Sequence, residues 1–455
     1  MTKIRAQTAL TSEGWLSDVD VVVAENGRIA SVGPQSGVAE KTVDLLLPAP
    51  TNLHSHSFQR IIAGLTEAKG PDESDSFWTW RKLMYHNLLK LTPEHIEVIA
   101  AQAFMEMAEA SYAAVAEFHY IHHPRNGQFY DNIAELAERI VGAAEYVGLG
   151  LTLLPVLYEF GGCDGRALQG GQIRFGNSKD QFAKLFSASQ TLVANGQPDC
   201  IIGVAPHSLR AVDTDGLRLA LDLTGGGPFH MHLAEQIAEV DEVKAHMGAR
   251  PVEWVLNNMP IDERSCFIHC TQMIESETAG LAASGAVSGL CPITESNLGD
   301  GIFDGIRYLT ANGAFGIGSD SNIYISFWDE LKTLEYSQRL RDRGRAMFAT
   351  QTQSAGRVLY EYSLAGGAKA AGRSSGALEV DMWADMIAVS TDNEFLCSRR
   401  GDTLLDSLIF SGGVQKSTTD VWSAGRHIVQ DGRHAKREQI VQRFVSVMKE
   451  LELGI

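Results

Sequence analysis

Residues 228–236 read PFHMHLAEQ. The first six are mostly apolar, and the run ends in His232 and Glu235, side chains that bind metals and move protons. A short apolar run followed at once by chemistry is the pattern of a fully buried parallel strand whose C-terminal end opens into a site. Reading outward, the same unit recurs. Upstream lie LLLPAP (45–50), YAAVAEF (112–118), LGLTLLPVL (149–157) and CIIGVAP (200–206); downstream lie SCFIHC (265–270), GAVSGLC (285–291) and GAFGIGS (313–319). Helical patterns separate them. Thr92-Pro93 reads as an N-cap with proline in the first turn, and DNIAELAERIVGAAEYVG (131–148) and SKDQFAKLFSASQTLVANG (178–196) each close on a glycine, a helix-stop signal. Eight strands alternating with helices predict a (β/α)8 barrel, whose active site gathers at the C-terminal ends of the strands.

The ends of the runs carry the polar residues this fold requires. His54 and His56 follow the first; Glu117, His119 and Tyr120 the second; His207 and Arg210 the fourth; His232 and Glu235 the fifth. His269 ends the sixth, Glu295 and Asn297 follow the seventh, and Asp320 ends the eighth. In NLHSHSF (52–58), His54 and His56 alternate and so point to one face. A lone HxH carries little weight. With His232 and with Asp320 of SDS (319–321) it makes three nitrogens and one oxygen, a set that suits zinc with a position left for water. Zinc lowers the pKa of bound water from near 15.7 to roughly 7. Glu235 is placed to shuttle protons and His269 to polarise water or balance charge. Alone, Glu235 would read as a helix-end carboxylate and His269 as a satisfied core histidine; beside a metal set the pair reads as catalytic. His230 is expected to pack or support the ligands. The paired His122 and His123 are expected in a loop, and RLRDRGR (339–345) as a solvated helix face.

The flanks differ. Residues 1–48 include VDVVVAENGRIASVG, and 376–435 include ALEVDMWADMIAVS and DVWSAGRHIVQDGRH. Asn26-Gly27 and Asp431-Gly432 are hairpin signals. Both ends are expected to join in one small β-sandwich beside a barrel of residues 49–375, with a closing helix over 436–455. The glycine-rich 161–178 lacks phosphate-loop spacing and reads as a surface loop, with a mobile lid as the alternative. The aromatic cluster Phe77, Trp78 and Trp80 reads as a packed helix. A net charge of −18 argues against nucleic-acid and membrane partners. The N-terminus lacks a signal-peptide core, and six scattered cysteines without a CxxC pair read as reduced thiols, so a cytoplasmic location is expected.

HSH, HMHLAE, the strand-end His269 and GIGSDS together resemble the amidohydrolase superfamily, whose members join such a barrel to a small β-sandwich. NLHSHSFQR, SFWTWR, AVAEFHYIHH, HSLRAV, HLAEQ, ESNLGDGIF and EYSQRLRDR are similar to its formiminoglutamate-deiminase branch over nearly the whole chain. The resemblance implies one zinc per chain, or another divalent ion, on His54, His56, His232 and Asp320, with Glu235, His269 and Asp320 catalytic. It implies that Gln59, Arg81, Tyr120, His207 and Arg210 hold a small anionic substrate, N-formimino-L-glutamate, and that the enzyme is a homodimer. Two stretches depart from common superfamily patterns: MWADMIAV (382–389), and ITESNLGDG (293–301), which fits the formimino branch. The alternatives are a deaminase of a neutral heterocycle, which would not need Arg81 and Arg210; a two-metal hydrolase, which lacks its bridging strand-end lysine here; and a structural zinc site, which would not need Glu235 and His269.

Overall fold

A computed structural model describes residues 1–67, 77–412 and 417–451, with 77–79 described by backbone alone. Four strands come first: β1 (Thr2–Thr11), β2 (Gly14–Val23), β3 (Ile29–Pro34) and β4 (Lys41–Pro48). The barrel strands are β5 (Thr51–Ser55), β6 (Ala114–His119), β7 (Gly150–Leu157), β8 (Ile201–Ile202), β9 (Ala205–Pro206), β10 (Phe229–Leu233), β11 (Ser265–His269), β12 (Val287–Leu290) and β13 (Ala314–Ile317). Last come β14 (Met386–Val389), β15 (Thr418–Ser423), β16 (Arg426–Gln430) and β17 (Arg433–His434).

Strands β5 to β8 pair in parallel order, β9 pairs with β7, and β10 to β13 form a second parallel run. Parallel bridges Val204↔Phe229 and Ser55↔Asp320 join the two runs at both edges. The barrel therefore closes, with β8 and β9 as the two halves of one broken strand. The second bridge contains Asp320 itself, so the seam of the barrel runs through the metal-ligand candidates.

The first barrel strand is not where the apolar pattern put it. LLLPAP falls mainly on β4, in the outer sheet, and the barrel starts at TNLHS. The cause is visible in β4. Leu45 and Leu47 pack into the main core while Leu46, between them, packs into the small core of the outer sheet. With both faces buried, β4 carries the same continuous apolar run as a barrel strand.

The two chain ends meet as expected, in one mixed eight-stranded sheet of order β17-β16-β15-β14-β4-β1-β2-β3. Its inner core includes Ile4, Ala6, Val21, Ile29, Met386 and Trp422. The Asp431-Gly432 turn joins β16 to β17 with both residues at positive φ, 50° and 74°, as a two-residue hairpin turn demands. Thr92 caps the helix Pro93–Glu109. Gly148 ends Glu135–Val147 in the left-handed region, but Gly196 ends Lys179–Asn195 extended, so only the first is a left-handed stop. The closing helix runs Arg437–Leu451; the expected residues 452–455 lie outside the described residues. The helix Phe77–Leu88 forms as expected, and the side chains of Phe77 and Trp78 lie outside the described residues. No helix among the described residues is long and apolar enough to cross a membrane.

Candidate metal centre and active site

His54 lies on β5, His56 just beyond it, His232 on β10 and Asp320 just beyond β13. All four are buried at the C-terminal end of the barrel. Asp320 Oδ1 lies 3.3 Å from His54 Nε2 and 3.2 Å from His56 Nε2, and His232 Nε2 lies 3.2 Å from His54 Nε2. The ring orientations have identifiable causes. His56 Nδ1 donates to the Phe118 carbonyl at 3.0 Å and His232 Nδ1 to the His207 carbonyl at 3.1 Å. Each bond leaves Nε2 free of its proton, that of His56 facing Asp320 and that of His232 facing His54 Nε2. Burial keeps the imidazoles neutral: it pushes His54 down to about 3, lowers His56, and takes His232 well below the usual histidine range with help from the neighbouring rings. Burial works to raise Asp320, but the His54 contact and the surrounding histidines outweigh it and hold the carboxylate below its ordinary range. Three neutral nitrogens and one anionic oxygen, all within 4.8 Å of one another, fit a divalent cation and could hold one.

The backbone is shaped to make this convergence. A Cβ on Gly318 would lie 2.8 Å from His54 N, O and Cβ, so only glycine lets the end of β13 approach β5 so closely. Asp320 N donates to the His54 carbonyl and His56 N to the Asp320 carbonyl, both at 2.9 Å. Asn52 Nδ2 donates to Ser319 Oγ at 2.6 Å, and Asn322 Nδ2 donates to Ser55 Oγ and the Asp320 carbonyl, each at 3.1 Å. Asp320 sits at φ +44° within this network, an uncommon conformation that needs such support. Asn52 and Asn322 are visible in the sequence only as polar residues beside the motifs.

His230, two residues before His232, sits deeper in the barrel and bonds the Ala370 carbonyl at 2.7 Å, so it packs, as expected. His122 bonds the Val156 carbonyl and His123 the Gly176 carbonyl, both through Nε2 at 2.9 Å, away from the metal-ligand group. RLRDRGR closes the helix Phe327–Asp342, where Arg339 pairs with Glu335 and Arg341 with Asp342. Cys266 is buried in β11 and Cys270 just beyond it.

Glu235 and His269 face each other, Oε1 to Nε2, at 3.8 Å. Burial raises the Glu235 carboxyl. For His269, burial opposes the charged form, but Glu235, Glu295 and Asp320 together raise the imidazolium to about 10. Two carboxylates that sequence reasoning left without a role hold the pair. Glu295 Oε1 lies 3.3 Å from His269 Nδ1, and Glu239 accepts the backbone N–H of Ala234 at 3.2 Å and of Glu235 at 2.9 Å. Ala234, His269 and Cys270 all have positive φ, so both strand ends bend sharply to aim these side chains inward.

The pocket beside these groups is lined by Gln59, Arg81, Tyr120, His207 and Arg210 together with His56, His232, Glu235, His269 and Asp320. Gln59 Nε2 donates to Tyr120 Oη at 2.8 Å. Arg210 Nη2 lies 3.8 Å from Glu235 and 3.9 Å from Glu239, and its buried Nε has no hydrogen-bond partner among the described residues. Trp80, Met84, Tyr85, Tyr158, Phe175 and Leu298 also line the pocket. The segment 161–178 departs from the surface-loop expectation. Gly171, Gln172, Arg174 and Phe175 are buried, and Phe175 is part of the pocket wall. Arg174 binds the carbonyls of His123 and Leu88, which ties this wall to the helix that carries Arg81.

The amidohydrolase family pattern matches residues 45–428. A formimidoylglutamate deiminase of Pseudomonas aeruginosa is 44% identical over 99% of this chain and 100% of its own length. This chain belongs to the amidohydrolase family. A crystal structure of an amidohydrolase from Brucella melitensis superposes with a TM-score of 0.95 at 41% identity, covering 99% of this chain and 100% of that one. An adenosine deaminase from Xanthomonas campestris, solved with bound zinc, shares the fold at 20% identity, with a TM-score of 0.82 over 100% of this chain and 99% of its own. In this amidohydrolase the closed barrel, the outer sheet from both chain ends and the buried His/Asp group occur together.

Proposed function

We propose that this amidohydrolase is a formimidoylglutamate deiminase, converting N-formimino-L-glutamate and water to N-formyl-L-glutamate and ammonia. The observation that carries the reading is the near end-to-end 44% identity to the Pseudomonas aeruginosa deiminase. The pocket supports it, because two arginines line the same cavity as the His/Asp group. A neutral heterocycle gives no reason for two guanidinium groups in a protein of net charge −18; a dicarboxylate does.

A single zinc ion on His54, His56, His232 and Asp320 would supply the Lewis acidity that makes water a nucleophile near neutral pH. Arg210 and Arg81 would hold the substrate carboxylates, and Gln59, Tyr120 and His207 would orient the formimino end. Glu235 would carry a proton to the departing nitrogen, its raised pKa fitting it to hold one before release. His269 Nε2, opposite Glu235, would steady the charge on the oxygen of the attacking water, the one oxygen the formimino carbon acquires, and Asp320 would assist proton removal. All six cysteines are free thiols, in keeping with a reducing, cytoplasmic setting.

Product analysis tests the reaction. Zinc-loaded protein given N-formimino-L-glutamate should yield ammonia and N-formyl-L-glutamate in equal amounts. Release of formamide and glutamate instead would overturn the assignment, because the other carbon–nitrogen bond would then have broken.

A further inference from the structure

Glu117 lies near the C-terminal end of β6, is buried, and has no part in the chemistry above. Its Oε1 accepts two hydrogen bonds from one residue, Ser57 N at 2.7 Å and Ser57 Oγ at 2.6 Å. Its Oε2 is buried with no hydrogen-bond partner among the described residues. Ser57 directly follows His56 and opens the short helix Ser57–Ile62. The first N–H groups of a helix have no partner within it, and the residue just before the helix often meets one with its own side chain. His56 holds that place and makes no such bond. Both of its ring nitrogens are engaged elsewhere, Nδ1 on the Phe118 carbonyl and Nε2 toward Asp320. Glu117, from another strand, meets the N–H of Ser57 instead.

Consecutive residues of β6 thus grip consecutive residues of the HSHS turn. The Phe118 carbonyl holds the His56 ring, which also packs on the Phe118 ring at 5.3 Å between centroids, and the Glu117 carboxylate holds Ser57. The first grip fixes how the imidazole is rotated; the second fixes the backbone that carries it. A correctly turned ring on a backbone free to shift would not keep Nε2 within 3.2 Å of Asp320. Glu117 is outside the group of His54, His56, His232 and Asp320 whose ligand atoms lie within 4.8 Å of one another. We propose that Glu117 is a positioning residue for the metal site, pinning Ser57 so that His56 is held ready for the ion. It acts by accepting hydrogen bonds, not by ligation. This rests on the metal site proposed above, and the test separates the two.

Zinc affinity is measured by chelator competition for the wild type, Glu117→Leu, Glu117→Gln and Ser57→Ala, beside the melting temperature of each zinc-free protein. Losing an outer partner that orients a ligand typically weakens metal binding about 10- to 100-fold. Glu117→Leu should fall in that range. Ser57→Ala should lose affinity by a smaller factor, because the backbone N–H bond remains, and it decides the matter if Glu117→Leu does not fold. Glu117→Gln keeps an acceptor oxygen for Ser57 and should recover most of the affinity. Unchanged zinc affinity with only a lower melting temperature would make Glu117 a residue of the fold and overturn the proposal. A Glu117→Gln variant as weak as Glu117→Leu would also overturn it, by assigning the effect to charge. A wild type that takes up no zinc would instead refute the metal site itself, and the proposal with it.

Discussion

Two residues carry most of the chemical argument. Glu235 is buried, faces His269 at 3.8 Å and has its backbone N–H held by Glu239, so Glu235→Gln preserves shape while removing the carboxyl proposed to carry the proton. Loss of a general acid–base group typically costs about 10²–10⁴-fold; kcat should fall by that order with KM little changed, and a near-normal kcat would reduce Glu235 to a helix-end carboxylate. Arg210 is the second. Truncating one partner of a desolvated charge pair costs about 2–5 kcal/mol, or roughly 30-fold to several thousand-fold. Arg210→Ala should lower kcat/KM for N-formimino-L-glutamate by at least that lower factor, while a truncated substrate lacking the matching carboxylate should lose much less. Because Arg210 also lies within 4 Å of Glu235 and Glu239, kcat is the control: an equal fall on both substrates would mean that Arg210 serves the carboxylates instead of the substrate.

At the scale of elements, the barrel was legible because its strands are buried on both faces and end in titratable residues. The same rule misplaced the first strand, since β4 is also buried on both faces. The histidine and aspartate group was legible because HSH and HMH use the two-residue period of a strand. Tyr85, Tyr158 and Phe175 were not, because a helix, a strand end and a non-repetitive segment bring them together only through tertiary packing. Gly318 shows how far an element's path depends on one residue. A methyl group there would lie 2.8 Å from the His54 backbone, so Gly318→Ala should push β13 from β5 and spread the ligand candidates. After dialysis, metal analysis should find far less than one ion per chain, with activity falling in proportion. Full metal content would show that the seam can yield without loss.

Over the whole molecule, the outer sheet and the barrel are joined by buried charge. Arg373 binds Asp385 at 2.6 Å and Asp199 at 2.8 Å, and Arg426 binds Asp199 at 2.7 Å. Asp199 precedes the broken fourth barrel strand, and Asp385 precedes β14. Arg373→Met would leave Asp385 buried without its cation; removing one partner of such a pair costs about 3–5 kcal/mol. The urea midpoint should drop markedly while kcat/KM of the folded enzyme stays near wild type, and a parallel loss of activity would mean that the joint also shapes the pocket. The account's central claim is that the cavity pairs a metal-binding end with an arginine-lined end and so selects a dicarboxylic formimino compound. The most direct measurement is ammonia release by the zinc-loaded protein, compared as kcat/KM across N-formimino-L-glutamate, adenosine, guanine and cytosine. The account predicts that N-formimino-L-glutamate is preferred by orders of magnitude; preference for any of the neutral heterocycles would contradict it.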